Sequence, residues 1–305
     1  MPEIEKYVIC VVGPTAVGKT KTTIELARKF QTEIISADSR QFFKEMDIGT
    51  AKPTMSELSR VRHYFINSHS ILEEVSAGRF EKEALKLLDT LFKLRPVVLV
   101  TGGSGLYIKA LLEGLPSMPA VDGEVRIELN QKLKREGIEV LKAELLEADP
   151  EYYFQVDLSN PQRVIRALEV IKSTGKPFST FRKGERRPRP FKVVKIGLER
   201  PRDQLFDRIN ERVDKMIADG LLDEVKSLTS HEKVTALQTV GYKELFRHIN
   251  GEITLEEAVE LIKRNTRRYA KRQLTWFKKD NELHWFHPDD KKDIVQYIAS
   301  KTQEN

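Results

Sequence analysis

The sequence predicts an α/β protein in which a parallel β-sheet carries helices on both faces and is interrupted by a helical insertion. The first observation behind this prediction is that short apolar or β-branched runs alternate with helical patterns along most of the chain. The second is that several of these runs are continuously apolar, as in strands buried on both faces. The third is a pause in the alternation between about residues 115 and 190, where the pattern is mostly helical.

Six strands are predicted, with helical patterns between them. The helix after the first strand covers residues 21–30, and a later helix covers Phe80–Leu94 and is stopped by Pro96. In chain order the strands are Tyr7–Val12, Glu33–Ala37, Tyr64–Asn67, Val97–Thr101, Val193–Leu198 and Leu283–Phe286.

The helical insertion is predicted at residues 116–190, with prolines near both of its ends. Within it, helical patterns cover Leu129–Leu146 and Asn160–Lys172. The remaining residues, 1–115 and 191–305, are predicted to form one discontinuous core that carries the catalytic machinery.

Composition is that of a globular protein that does not enter a membrane. Of 305 residues, 40% are hydrophobic and 32% are charged, and no apolar run approaches the roughly 18 residues of a membrane span. The N-terminus lacks the basic and apolar pattern of a secretory signal. The single cysteine, Cys10, lies within the first strand and is expected to be a buried core residue. We therefore expect a cytoplasmic protein without disulfides.

A phosphate-binding loop follows the first strand. The pattern G-x-x-x-x-G-K-[ST] lies between that strand and a helix, which is the context that such a loop requires. Its backbone N–H groups and the helix N-terminus favour an anion, Lys19 can reach terminal phosphates, and the Thr20 hydroxyl can ligate Mg²⁺. With this loop, the predicted fold is like that of the P-loop NTPases. The residues of the phosphate loop are Gly13, Pro14, Thr15, Ala16, Val17, Gly18, Lys19 and Thr20.

Asp38 directly follows the second predicted strand. Ligands of open parallel sheets bind beyond the carboxyl ends of the strands, so this carboxylate is expected near the phosphate loop. It could accept a proton from a substrate or hold a metal-bound water. Alternatively, Asp38 only caps the next helix.

A glycine-rich turn, Thr101–Tyr107, follows the fourth predicted strand. Its glycines allow another chain segment or a ligand to approach the backbone closely, and Ser104 could orient a polar group of a substrate. A plain strand-to-helix turn is the alternative. Many nucleotide hydrolases end the corresponding strand with an Asp that organises Mg²⁺, whereas this chain has Thr101, which disfavours ordinary ATP hydrolysis.

Positive charge is concentrated in two segments. The net charge is +6, the helical basic cluster Lys263–Lys279 contains eight basic and no acidic residues, and the loop basic cluster Arg182–Lys192 contains six basic residues and one acidic residue. Such density indicates a polyanionic partner, although a solvated helix face and a charged loop remain the alternative. Arg163 and Arg166 lie one turn apart on another predicted helix, where they could bind RNA or form surface salt bridges.

Taken together, these motifs resemble one family, the tRNA dimethylallyltransferases, also called isopentenyl-tRNA transferases. The matching segments occur in family order over almost the whole chain. They are Gly13–Thr20, Ile34–Gln41, Met46–Pro53, Gly102–Tyr107, Asn160–Val170, Gly241–Glu244 and Arg272–Phe277.

The resemblance implies transfer of the dimethylallyl group from dimethylallyl diphosphate to tRNA. The implied acceptor is the exocyclic amine of the adenine 3′-adjacent to the anticodon, in tRNAs that read codons beginning with U. In this family the phosphate loop serves the diphosphate of the prenyl donor, with Mg²⁺ at Thr20. The matching positions give Asp38 the role of general base and let Ser104 share the amine. The implied tRNA-binding residues are Asp38, Ser39, Arg40, Gln41, Ser104, Arg126, Gln162, Arg163, Val164, Ile165 and Arg166.

The chain departs from the family pattern at Gln238, where some members carry an arginine. It also lacks the C-terminal zinc finger of eukaryotic members, so a bacterial-type enzyme is expected, and we expect it to be a monomer. A P-loop kinase for a small molecule or nucleotide is the main alternative, because it would also place a carboxylate after the second strand. A nucleotide-gated RNA-binding protein without catalysis is a third interpretation, in which Asp38 would be dispensable.

Overall fold

The computed structural model describes residues 5–182 and 187–302. The chain forms two compact units. The core unit comprises the residues up to Leu112 together with those from Arg189 onward, and the insertion unit comprises Glu113–Pro188. The sequence-based division put these boundaries at residues 115 and 190.

The core unit is built on a parallel sheet of six strands. Five match the predicted strands, but the predicted strand Tyr64–Asn67 shares only Tyr64 with the observed one, because Phe65 and Asn67 have positive φ. The strand order is β3-β2-β4-β1-β5-β6, and every pairing between these strands is parallel. β1 is central, with Val8 opposite Val98 on one side and Val193 on the other. The strands are β1 (Tyr7–Val12), β2 (Ile34–Ser36), β3 (His63–Tyr64), β4 (Val97–Gly102), β5 (Lys192–Leu198) and β6 (His284–Phe286).

Helices connect these strands and form the insertion unit. Before the insertion they are α1 (Lys19–Lys29), α2 (Met55–Leu58), α3 (Ala77–Leu91) and α4 (Gly105–Glu113). The insertion unit contains α5 (Gly123–Glu136), α6 (Ile138–Ala148), α7 (Pro150–Tyr153), α8 (Pro161–Thr174) and α9 (Phe178–Arg182). The core continues with α10 (Arg202–Ala218), α11 (Leu221–Ser227), α12 (Tyr242–Ile249), α13 (Leu255–Phe277) and α14 (Lys291–Thr302).

Both faces of the sheet are covered, as the sequence predicts. Alternate residues of β1 point to opposite faces, so Ile9 and Val11 join one apolar cluster while Val8, Cys10 and Val12 join the other. The first cluster includes side chains from α1, α10 and α14, and the second includes side chains from α3 and α4. Each fully buried aliphatic side chain contributes about 1.5–3 kcal/mol to stability. Burial also raises the pKa of the Cys10 thiol to about 12, which is consistent with a core residue.

The insertion unit has an apolar core of its own, formed by α5, α6 and α8 with contributions from the shorter helices. The prediction of one helix over Leu129–Leu146 is wrong. Gly137 ends α5 with φ +83° and also precedes α6, so one helix stops and a second begins there. α8 agrees with the predicted helix: Pro161 begins it, and Gly175 follows it with φ +69°.

No helix in the described part of the chain is long and apolar enough to cross a membrane.

Candidate active site

Three neighbouring strands end beside one another at the edge of the sheet where ligands are expected. The phosphate loop follows β1, Asp38 follows β2, and Ser104 follows β4, which lies between β2 and β1. The turns after β2 and β4 touch, because a Cβ on Gly102 would lie only 2.4 Å from the Ala37 carbonyl oxygen. Sheet order therefore brings together the elements that the sequence singled out.

The phosphate loop adopts a conformation that depends on its glycines. Gly13 has φ +152°, and a Cβ there would lie 2.6 Å from the Leu198 carbonyl oxygen. Gly18 precedes α1 with φ +118°. The first-turn N–H groups of α1 lack intrahelical acceptors, so the loop and the helix N-terminus together form an anion cradle.

Lys19 lies inside this cradle. Its ammonium group donates hydrogen bonds to the carbonyl oxygens of Gly13, at 3.0 Å, and Pro14, at 2.9 Å. Burial lowers the pKa of Lys19 to about 8; the Asp38 carboxylate opposes this shift and the Arg212 guanidinium adds to it. Lys19 and Asp38 are therefore close enough to interact electrostatically.

Asp38 is held by a local turn and does not cap a helix. Its Oδ1 atom accepts a hydrogen bond from the Arg40 N–H at 3.0 Å, and the next α-helix begins only at Met55. Its charge also influences the pKa values of Tyr107 and Tyr269, both of which are raised chiefly by burial. The helix-cap alternative is thus excluded, and the carboxylate is close enough to Lys19 and to both phenols to affect their pKa values.

Ser104 is connected to the segment that carries Asp38. Its hydroxyl oxygen accepts a hydrogen bond from the Ser39 N–H at 3.0 Å, and its hydroxyl donates to Ser39 Oγ at 3.1 Å. Tyr269 of α13 lies next to Ser104. The structure therefore brings Asp38, Ser39, Ser104 and the phosphate loop into one site of the core unit.

Comparison with known proteins identifies the family. The sequence profile of the IPP transferase family matches residues 41–280. The tRNA dimethylallyltransferase of Cytophaga hutchinsonii is 53% identical over 304 residues, with both chains covered completely. This chain belongs to the family of the tRNA dimethylallyltransferases. It is accordingly a prenyl transferase, and a kinase is not favoured.

Solved structures of the same family have the same fold. The tRNA isopentenylpyrophosphate transferase of Bacillus halodurans matches with a TM-score of 0.74 and 38% identity, covering 98% of each chain. A eukaryotic dimethylallyltransferase, described as acting on tRNA, matches with a TM-score of 0.75 and 28% identity. That match covers 93% of this chain and 74% of the other.

Three arginines at the cradle of this family member were not predicted from its sequence. Arg200 Nε donates to the Val17 carbonyl oxygen and Arg208 Nε to the Ala16 carbonyl oxygen, both at 2.9 Å. Arg212 Nη1 lies 3.3 Å from the Thr15 hydroxyl, and burial lowers the pKa of Arg212. Arg208 and Arg212 are one turn apart on α10, and this spacing is the sequence feature that could have indicated that both reach the same site. The extra positive charge suits a diphosphate better than a neutral ligand.

Gln273 of α13 is a second feature that sequence reasoning missed. Its Oε1 atom accepts a hydrogen bond from the Thr15 N–H at 2.8 Å, and its Nε2 donates to the Gly103 carbonyl oxygen at 2.9 Å. The close approach requires Gly103, because a Cβ there would lie 2.2 Å from Nε2. This contact confirms the prediction that the glycines of the Thr101–Tyr107 turn admit another chain segment. One buried amide thus joins the phosphate loop to the turn that carries Ser104.

Glu224 and Tyr242 organise the Met46–Pro53 motif. The Glu224 carboxylate accepts hydrogen bonds from three successive backbone N–H groups of this motif at 2.7–3.0 Å. It also accepts a 2.6 Å hydrogen bond from the Tyr242 hydroxyl, whose pKa is raised by burial and by Glu224. A Cβ on Gly49 would meet the Tyr242 ring at 2.5 Å, which explains the glycine. Gln238, at the position of the family arginine, is exposed and donates to the Glu232 carbonyl oxygen at 2.6 Å.

Two of the residues expected to bind tRNA in the core unit already have protein partners. Gln41 Nε2 donates to the carbonyl oxygens of Thr50 and Ala51, and its Oε1 accepts from the Ser36 hydroxyl. Arg40 Nη1 lies 3.4 Å from the Thr235 carbonyl oxygen, and burial lowers the pKa of Arg40. Gln41 therefore supports the loop, and RNA contact through its amide would require these hydrogen bonds to be exchanged.

In the insertion unit, α8 presents only part of its predicted RNA-binding segment to solvent. Gln162, Arg163 and, on α5, Arg126 are exposed, and Arg166 is partly exposed. Val164 and Ile165, by contrast, are completely buried in the apolar core of the unit. RNA contact by these two side chains is incompatible with that burial, because their positions on α8 face α5 and α6.

The helical basic cluster is only partly available to a partner. Lys263 pairs with Asp214, Arg267 donates to Asn210, and Lys278 pairs with Glu199. Arg264, Arg268, Lys271 and Arg272 are exposed along α13. In the loop basic cluster, Lys183, Gly184, Glu185 and Arg186 lie outside the described residues.

Proposed function

We propose that this protein transfers the dimethylallyl group of dimethylallyl diphosphate to the exocyclic amine of the adenine 3′-adjacent to the anticodon. The acceptors are tRNAs that read codons beginning with U, and the products are isopentenyladenosine and diphosphate. The observation that carries the proposal is that Asp38 and Lys19, which follow β2 and β1 at the same edge of the sheet, are close enough to interact electrostatically. An anion cradle and a proton acceptor are the two groups that such a transfer requires.

The cradle binds the leaving group. As the bond between the allylic carbon and the diphosphate oxygen breaks, negative charge grows on the diphosphate. Lys19, the loop N–H groups and Arg212, which contacts the loop at Thr15, would stabilise that charge in the transition state. The same groups position the donor before the reaction.

Asp38 activates the acceptor. An adenine amine is a poor nucleophile because its lone pair is delocalised into the ring, and a nearby carboxylate can orient the amine and take its proton as the new carbon–nitrogen bond forms. Ser104 hydrogen-bonds the segment next to Asp38 and would share the amine. The adenine must leave the stack of the anticodon loop to reach these groups.

The phosphate loop also fits a divalent metal such as Mg²⁺. Within residues 5–182 and 187–302, no group of three or more His, Cys, Asp or Glu side chains forms a metal site. Thr20 carries a hydroxyl without a protein hydrogen-bond partner among those residues, at the start of α1. Mg²⁺ held beside phosphates needs few protein ligands, because phosphate and water oxygens complete its shell. When bound, it would neutralise part of the diphosphate charge.

Incubation with labelled dimethylallyl diphosphate and unmodified tRNA tests the proposal. Label should move to tRNA and should co-migrate with isopentenyladenosine after digestion, while a parallel reaction with ATP should consume none. Consumption of ATP without prenylation would instead support the kinase alternative. A tRNA without adenine at the target position is the matched control and should accept no label.

A further inference from the structure

A buried carboxylate of the insertion unit lies beside one exposed arginine and one partly exposed arginine. Glu169 of α8 is only 2% exposed. Its Oε2 atom lies 3.0 Å from Arg166 Nη1 and 3.6 Å from Arg126 Nη1. Arg126 Nη2 also lies 3.4 Å from Gln162 Oε1. One acidic group therefore touches two cationic groups that come from different helices.

Stability alone is a weak reason for this arrangement. Removing a carboxylate from water has a large desolvation cost, and an apolar side chain of similar volume often serves a protein core as well or better. Apolar residues surround Glu169 on α8, where Ala167, Leu168 and Val170 are buried. A charge at this position therefore calls for an explanation in terms of the arginines that it holds.

The geometry points to Glu169 as a positioning residue for tRNA recognition: it fixes the guanidinium groups of Arg126 and Arg166 in the orientation that binds RNA. This inference rests on the proposed function, in which the insertion unit contacts tRNA. Each guanidinium keeps further N–H donors for phosphate oxygens or base edges, because only part of its planar fork is used by Glu169.

Ordering the arginines before binding lowers the entropic cost of binding. A free arginine side chain has many rotamers, and fixing it at an interface reduces affinity. Glu169 achieves this fixation within the protein, so tRNA would meet arginines that are already arranged. It also links α5 to α8, which sets the spacing between the two guanidinium groups.

The inference makes a prediction opposite to that of simple electrostatics. Glu169→Gln removes a negative charge beside a basic surface. Because that charge repels the RNA phosphates, electrostatic repulsion alone predicts tighter RNA binding by the variant. Loss of positioning predicts weaker binding, by about tenfold for two arginines released from their anchor. Glu128→Gln is the matched control, because exposed Glu128 lies on α5 in the same unit and pairs with Lys172 at 3.3 Å.

The experiment measures tRNA affinity, and the kcat and KM values for both substrates, in the full-length chain. Glu169→Gln should weaken tRNA binding and raise the KM for tRNA, with kcat and the KM for dimethylallyl diphosphate unchanged. Glu128→Gln should bind tRNA as tightly as the wild type or slightly tighter. Equal affinities for wild type and Glu169→Gln, or equal losses in both variants, would overturn the inference. Absence of transfer by the wild type would instead contradict the proposed function.

A double-mutant cycle separates positioning from a general structural role. In an Arg126→Ala, Arg166→Ala background, Glu169→Gln should cause no further loss of tRNA affinity, because its targets are gone. An undiminished loss in that background would contradict positioning. Should Glu169→Gln fail to fold, Glu169→Asp keeps the charge and shortens its reach by one methylene. It should weaken tRNA binding at unchanged kcat, and wild-type affinity in this variant would overturn the inference.

Discussion

At the scale of single residues, Lys19 shows how burial prepares a charged group for its ligand. Its ammonium group is largely removed from water, donates hydrogen bonds to two loop carbonyl groups, and is partly stabilised by the field of Asp38. Because burial disfavours the charged form, the pKa of Lys19 falls from 10.5 to about 8. A bound diphosphate would supply the opposite charge that the protein provides only in part.

The pKa of Lys19 predicts a dependence of donor binding on pH. Above about pH 8, Lys19 loses its proton in the free protein, so affinity for dimethylallyl diphosphate should fall by up to tenfold per pH unit. Lys19→Arg should bind more weakly at neutral pH but without this decline, since an arginine stays charged. Calorimetric titration with dimethylallyl diphosphate in the absence of tRNA measures both curves.

Whereas donor affinity should fall above about pH 8, the free energy of unfolding should rise with pH in that range. The unfolded chain holds the Lys19 proton more tightly than the folded chain between pH 8 and 10.5, so the contribution of Lys19 to stability rises with pH there. Donor affinity that stays level through pH 8, in the wild type, would contradict the assigned environment of Lys19.

At the scale of elements, α13 connects most parts of the site. One face contributes Tyr269 next to Ser104 and Gln273 between the phosphate loop and the glycine-rich turn. Another face exposes Arg268 and Arg272. A capping box formed by Thr254 and Glu257 begins the helix. A single rigid element can thus set the distance between the two halves of the reaction.

Gln273→Ala should slow transfer more than it weakens either substrate. It leaves the Thr15 N–H and the Gly103 carbonyl group unpaired, and a displacement of about 1 Å between reacting groups can reduce the rate about 100-fold. The measurements are single-turnover transfer and the melting temperature. Asn265→Ala is the matched control, because Asn265 also lies on α13 and donates a 2.7 Å amide hydrogen bond, to Glu244. A rate loss shared equally by both variants would indicate general destabilisation of α13.

The exposed arginines of the helical basic cluster should contribute to tRNA binding by contacting phosphate groups of the tRNA backbone. Arg268→Ala with Arg272→Ala should reduce the slope of log affinity against log salt by about 1.4–1.8, since each phosphate contact contributes about 0.7–0.9. Lys215→Ala with Lys226→Ala removes the same charge from lysines that pair with Asp219 and Asp223. That control should leave the slope unchanged, and an unaltered slope in the arginine variant would place the RNA surface elsewhere.

At the scale of the whole molecule, the sequence was sufficient to predict most of the sheet and the candidate site residues that follow its strands. Runs such as Tyr7–Val12 are fully buried and leave few alternatives to a central parallel strand. The phosphate loop and Asp38 were recognisable because each directly follows such a strand. The prediction of one helix over Leu129–Leu146 was wrong because the helical periodicity outweighed the glycine at residue 137, whose positive φ ends the first of two helices.

Long-range contacts account for what the sequence did not reveal. Gln273 is 258 residues away from Thr15, and nothing local marks its amide as a link between two loops. Arg200, Arg208 and Arg212 likewise reach the phosphate loop from a distant part of the chain. The burial of Val164 and Ile165 depends on which face of α8 meets α5 and α6, and that is decided by packing.

The central claim is that Asp38 takes the proton of the adenine amine while the cradle holds the departing diphosphate. Its most direct test is single-turnover transfer by Asp38→Asn, which keeps the size of the side chain and removes its basicity. We predict a rate about 100- to 10,000-fold below that of the wild type, with tRNA affinity changed by less than about tenfold. Asp219→Asn, at an exposed position of the core unit, should react like the wild type. A wild-type rate in Asp38→Asn would contradict the account.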